Sequence, residues 1–213
     1  AGYKACSFNG SFTVTASGFS TSSADVLHFA SRQLCGNGEI IARVMSVSGG
    51  GWAGVMMRES LSPGSKKVAL KTQLSSIIRR EIRTVQNGPA SILNFNRPTH
   101  FWLRLVRDGS TFTGYTSLNG TTWSFAFSAT VSMAGCIQLG VFSESINANT
   151  TTTATFSNIS VTGASNNSMA NDLPDTQIAA EQDEQVRIFP NPTIGEVTID
   201  LDLHAGKPGT IQV

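Results

Sequence analysis

The 213-residue sequence predicts an all-β protein built as an antiparallel two-sheet sandwich, with a small C-terminal β element. Three observations carry this. Short apolar segments recur between Gly, Ser, Asn and Pro signals at the roughly 8–12-residue spacing of sandwiches and barrels. No segment sustains a 3.6-residue apolar period, so little helix is expected. Hydrophobic residues make up 40% of the chain, enough for a packed core.

Phe12–Ala16 alternates apolar and polar residues and stops at Ser17-Gly18. The next strands are expected at Val26–Arg32, Glu39–Val47, Ala53–Ser60, Lys67–Thr72 and Ile77–Val85. His100–Arg107, Thr111–Ser117, Thr122–Phe127, Cys136–Ser143 and Thr152–Thr162 complete the module. Asp108-Gly109 and Asn119-Gly120 mark tight hairpins, where a glycine supplies positive φ. Gly49-Gly50-Gly51 lacks a following helix or Lys and reads as a turn, not a phosphate loop. The core should take Phe12, Val14, Phe29, Ile40, Val44, Val55, Met57, Leu103, Leu105, Leu139, Val141 and Phe156.

The texture changes after Gly163. Residues 164–184 are small, polar and unpatterned, the composition of a linker. Pattern returns at Val186–Phe189, Glu196–Leu201 and Thr210–Val213, so 185–213 reads as a separate small β element. Charge follows the same division. Residues 1–163 carry 13 Lys/Arg and 6 Asp/Glu, whereas 164–213 carry 2 and 8. The basic residues of the first part are scattered, without a Lys/Arg block, which argues against nucleic-acid binding. No run is long enough for a transmembrane helix. The sequence opens at Ala1 without a leader, so any signal peptide is expected to have been removed already.

Two family resemblances rest on particular motifs. Gly54-Val-Met-Met-Arg-Glu-Ser-Leu-Ser-Pro-Gly-Ser-Lys-Lys-Val-Ala-Leu, Phe101-Trp-Leu-Arg-Leu-Val-Arg-Asp-Gly-Ser-Thr-Phe-Thr-Gly-Tyr-Thr-Ser and Asn119-Gly-Thr-Thr-Trp form a set. Together with Val26-Leu-His-Phe-Ala and Leu139-Gly-Val-Phe-Ser, they resemble a concanavalin A-like, LamG-like module related to the regulation-of-enolase family. The resemblance covers 8–162 and implies a jelly-roll, usually attached to secreted surface proteins and polysaccharide-acting enzymes. It implies a non-catalytic role in carbohydrate or surface binding. Val186-Arg-Ile-Phe-Pro-Asn-Pro-Thr-Ile-Gly-Glu is similar to the opening of the C-terminal sorting domain of type IX secretion substrates in Bacteroidetes. Its motif residues are Pro190, Asn191, Pro192, Thr193, Gly195 and Glu196. The later strands and the basic-flanked end of such domains are absent from this sequence.

Catalysis is not expected. Glycoside hydrolysis needs two carboxylates about 5–10 Å apart. Asp25, Glu39, Glu59, Glu81, Asp108 and Glu144 are isolated in sequence, with no Glu-x-Asp-x-Glu strand. Only Glu59 and Glu144, meeting across strands, would make a cryptic hydrolase. His28, His100 and His204 show no metal-ligand spacing, no Gly-x-Ser-x-Gly elbow exists, and no cofactor or metal is expected. His28 reads as a hydrogen-bonded sheet histidine. Cys6, Cys35 and Cys136 allow one disulfide, of undetermined pairing, consistent with an exported protein.

Sugar binding needs aromatic faces together with Arg, Asn and carboxylate groups. Trp52, at a loop edge after three glycines, is the first stacking candidate, whereas Trp123 is expected to pack over its hairpin. Arg43, Arg58 and Arg104 sit inside apolar strands and must be paired or solvent-facing. They, with Glu144 and Asn96, are the candidate ligand residues, and Trp52→Ala and Arg58→Ala are expected to weaken binding. The leading function is a secreted, cell-surface, non-catalytic glycan-binding module using the type IX machinery. The alternative is a structural subunit self-assembling through β edges and its C-terminal segment.

Overall fold

The computed structural model describes residues 4–8, 10–18, 20–97, 100–164 and 187–191, with the first and last of these segments described as backbone only. Among the described residues there are thirteen strands: β1 Lys4–Phe8, β2 Phe12–Ser17, β3 Leu27–Val47, β4 Trp52–Arg58, β5 Lys67–Thr72, β6 Ile77–Arg83 and β7 Ser91–Asn96. They continue as β8 Trp102–Asp108, β9 Thr111–Ser117, β10 Ser124–Thr130, β11 Cys136–Glu144, β12 Thr151–Ala164 and β13 Arg187–Asn191. No helix occurs among the described residues.

β3 holds the architecture together because it belongs to two sheets. Its first half pairs with β11 over Cys35 to His28, and the first sheet continues β3-β11-β4-β5-β6-β7. Its second half pairs with β8 over Gly38 to Arg43 and with β12, and the second sheet continues through β9 to β10 on one side and β1 and β2 on the other. All pairings are antiparallel, and the two sheets enclose one core. All but Phe29 of the twelve predicted core residues lie in it. Phe29 is equally buried but points to the opposite face of the first sheet, with Leu27, Met56, Ala69 and Phe142.

Turn chemistry follows the sequence. Gly109 has φ 58° in the expected tight turn, where Asp108 pairs with Thr111. Gly120 has φ 77° but lies in the wider connection 118–123 between β9 and β10, not in a tight hairpin. Gly49 and Gly50 also have positive φ, and a Cβ on Gly51 would lie 2.0 Å from the Thr152 hydroxyl oxygen, so the triple glycine forms a tight turn against β12. The strands themselves differ from the sequence reading at three places. Ser91–Asn96 is a strand and was not expected, β1 precedes the first expected strand, and β3 is one strand where two were expected. Gly36, with φ 76°, lets β3 change partners without stopping.

Cys35 and Cys136, opposite one another in the β3–β11 register, form the disulfide. Cys6 lies on β1, opposite Val161. Of the tail, Arg187–Asn191 pairs antiparallel with Leu27–Ser31 of β3. Residues 165–184 of the linker, the second and third tail strands, and Pro192, Thr193, Gly195 and Glu196 of the sorting motif lie outside the described residues.

Candidate functional site

The outer face of the first sheet is built from every second residue of its strands. Val55, Met57, Val68, Leu70, Ile78 and Ile82 enter the core. Their neighbours Trp52, Arg58, Lys67, Lys71, Arg79, Glu81 and Arg83 therefore point away from it, joined by Glu144 of β11. The strand registers set Arg58 beside Lys67, Lys67 beside Arg83, and Glu144 beside Trp52.

These groups form a continuous ion-pair lattice. Asp25, in the segment leading into β3, accepts from Lys67 Nζ at 2.7 Å and from Arg83 Nη2 at 2.8 Å, and pairs with Arg58 at 3.3 Å. Lys67 also donates to Glu81 at 2.5 Å, and Lys71 bridges Glu81 and Glu144. Arg58 Nε donates to the Ser60 carbonyl at 2.7 Å, and Ser20 donates to Glu144 at 3.2 Å. Arg58 is 1% exposed and Glu144 4%, so the pairing is what makes their burial tolerable. Trp52, 7% exposed, begins β4 with the Arg79 guanidinium 4.1 Å from its ring centroid.

The electrostatics fix protonation. Burial opposes ionisation of Glu81, but Lys67 and Lys71 outweigh it and hold its pKa at about 2. Burial likewise favours a neutral Lys71, yet Glu144 and Glu81 push its pKa above the ordinary lysine value. A general acid must carry a proton at working pH, and Glu81 does not. Glu59 lies apart from this lattice, paired with Lys66 at 2.9 Å, so the carboxylate that meets Glu144 across strands is Glu81 by way of Lys71. Among the described residues no group of His, Cys, Asp and Glu side chains is arranged to hold a metal. His28 donates from Nδ1 to the Thr15 carbonyl, and burial lowers its pKa against that bond.

The outer face of the second sheet is different. Leu103, Leu105 and Phe112 point into the core, leaving Trp102, Arg104 and Tyr115 outward. Arg104 donates to Glu39 through Nε at 2.9 Å and Nη2 at 2.6 Å. Its guanidinium lies 5.3 Å from the Tyr115 ring and 5.9 Å from Trp123. Phe125, 58% exposed, meets Tyr115 edge-on at 6.2 Å. The exposed Arg43 lies 5.9 Å from the Trp102 ring, against which Gly120 packs so closely that a Cβ would approach within 2.8 Å. Trp102, Tyr115 and Trp123 are half-buried.

The six candidate ligand residues thus divide between two faces. Trp52, Arg58, Glu144 and the exposed Asn96, at the end of β7, share the first sheet's outer face, whereas Arg43 and Arg104 lie on the second's. Sequence reasoning missed Asp25, Lys67, Lys71, Glu81 and Arg83, although Lys67-x-Ala69-x-Lys71 and Arg79-x-Glu81-x-Arg83 place charges on one side of each strand. It also missed Tyr115, which lies under the Arg104 guanidinium, and Phe125, which meets Tyr115 edge-on.

No family model matches the sequence, and no curated protein matches it. Solved structures do. A protein of unknown function from Saccharomyces cerevisiae shares 14% identity at a TM-score of 0.58, covering 75% of this chain and 96% of that one. Lectin UEA-II, solved with galactose, shares 10% identity at 0.46, covering 76% and 99%. A prokaryotic β-1,3-1,4-glucanase from a mouse hindgut metagenome shares 8% at 0.45, covering 76% and 98%. The described strands form an all-β antiparallel sandwich, and at 14% identity the likeness to the Saccharomyces cerevisiae protein concerns the fold alone.

Proposed function

We propose that this chain is a secreted, cell-surface, non-catalytic module that binds glycans on the outer face of its second sheet. The observation that carries the reading is the cluster of Trp102, Tyr115, Trp123 and Phe125 around the Arg104–Glu39 pair on one solvent-facing sheet surface. Partly exposed rings offer apolar faces to pyranose C–H groups, and Arg43, Arg104 and Glu39 offer donors and acceptors to hydroxyls. Glu81 and Glu144 are both tied to the Lys71 ammonium and nearly inaccessible to a substrate, which supports a non-catalytic role. The Cys35–Cys136 bridge suits an oxidising compartment, and the Pro190–Glu196 motif supports export through the type IX system of a Bacteroidetes cell.

Binding to a glycan array and to insoluble polysaccharides is the test. Trp123→Ala and Arg104→Ala should each weaken binding by about 1–3 kcal/mol, from lost ring contact or charge-assisted hydrogen bonds. Wild-type affinity in both, with the fold intact, would remove the site from this face. Trp52 and Arg58 are nearly inaccessible, so Trp52→Ala and Arg58→Ala should lower binding only as far as they lower stability. Export is tested separately by fusing residues 164–213 to a reporter in a Bacteroidetes host; a reporter left inside the cell would reject the sorting role.

A further inference from the structure

The edge of β3 over Leu27–Ser31 carries an inference independent of what the module binds. On one side this half-strand pairs with β11; on the other its neighbour is β13, in the register Arg187 to Ser31, Phe189 to Phe29 and Asn191 to Leu27. β13 follows the module in sequence by 22 residues, 165–186. It has β3 as its single strand neighbour among the described residues. Pro190 lacks an N–H and so suits an edge position. β13 is therefore an added strand, attached among the described residues along one edge.

We propose that this edge is a strand acceptor shared between copies: Arg187–Asn191 of one copy occupies β3 of another and links the two head to tail. Exchange conserves the strand's contacts. An exchanged strand makes the same backbone pairing as one from its own chain, so the choice rests on tether and concentration alone. Twenty-two residues span at most ~75 Å, roughly twice the diameter of a domain of this size. Tethering holds the strand's own copy at an effective concentration on the order of millimolar. Dilute protein should therefore close on itself, and exchange should become appreciable at millimolar local density. Acceptor and donor are different surfaces, so the contact is heterologous and extends into chains or rings.

The register supplies the test. Full-length Ser31→Cys and full-length Arg187→Cys proteins, each also carrying Cys6→Ser, are mixed and oxidised at concentrations from about ten micromolar to several millimolar. Mass spectrometry identifies any bond between positions 31 and 187. The mixture is expected to give a crosslinked dimer whose yield falls about tenfold for each tenfold dilution, while occupancy is low. The chain carrying both substitutions is expected to give a closed monomer when dilute and a ladder when concentrated. A closed monomer at every concentration, with no dimer from the mixture, would overturn exchange. Failure of the double variant to crosslink at all would overturn the acceptor itself.

Discussion

Lys71→Met is expected to destabilise the protein by about 3–5 kcal/mol, the range for removing one partner of a buried charge pair. The substitution keeps an unbranched apolar stem but leaves Glu144 without its ammonium partner, and Glu81 with Lys67 alone. Against a total stability of about 5–15 kcal/mol, this brings the fold close to its limit. Urea unfolding measures it, and a loss below about 0.5 kcal/mol would show that Glu81 and Glu144 do not depend on Lys71 for their burial. The pH dependence gives a second signature. The folded pKa of Glu81, about 2, lies below its ordinary 4.5. Its ionised form therefore stabilises the fold above pH 4.5, and that contribution is lost as pH falls toward 2. The full effect is about 3 kcal/mol, and Lys71→Met should reduce it. Replacing Lys71 together with Glu81 and Glu144 by apolar residues should recover part of the loss, since desolvating both partners is itself costly.

The sandwich was legible because alternation reports which residues face a core. Val55 and Met57, or Leu103 and Leu105, announce their inward direction without reference to any other strand. What covers or crosses the outer face is set by register between distant segments. Nothing local therefore marks Lys67, Lys71 and Asp25 as partners; their pairing arises only where β4, β5 and β6 align. Trp52 was legible as an aromatic at a turn, but the cation on its ring comes from Arg79, two strands away. Ser91–Asn96 was missed for a local reason. It follows Gly88-Pro89 and, as an edge strand, exposes Ile92 and Leu93 on opposite faces, so no burial alternation marks it. Cys35-Gly36-Asn37-Gly38 has turn composition, yet β3 continues through it because β12 pairs with Cys35, Gly38 and Glu39.

Reduction of the Cys35–Cys136 bridge is expected to cost about 2–5 kcal/mol, because the two cysteines lie 101 residues apart and closing so long a loop in the unfolded chain removes much of its entropy. Its position should sharpen the effect. Cys35 is the last residue of β3 paired with β11, and Gly36 N–H donates to the Gly135 carbonyl at 2.9 Å where β3 passes to the second sheet. Arg107 of β8 donates to the Ala134 carbonyl at 2.7 Å and to Gly135 at 3.1 Å, so both sheets are fastened to the same segment. Cys35→Ala with Cys136→Ala, compared by urea unfolding with the oxidised protein, should show the loss, and reductant should move only the protein that retains both cysteines. Hydrogen exchange should rise first in β11 and in the β3 residues next to Gly36, where the two sheets share one strand. An unchanged midpoint in the double variant would mean that hydrogen bonds at this crossover hold the sheets without the bridge.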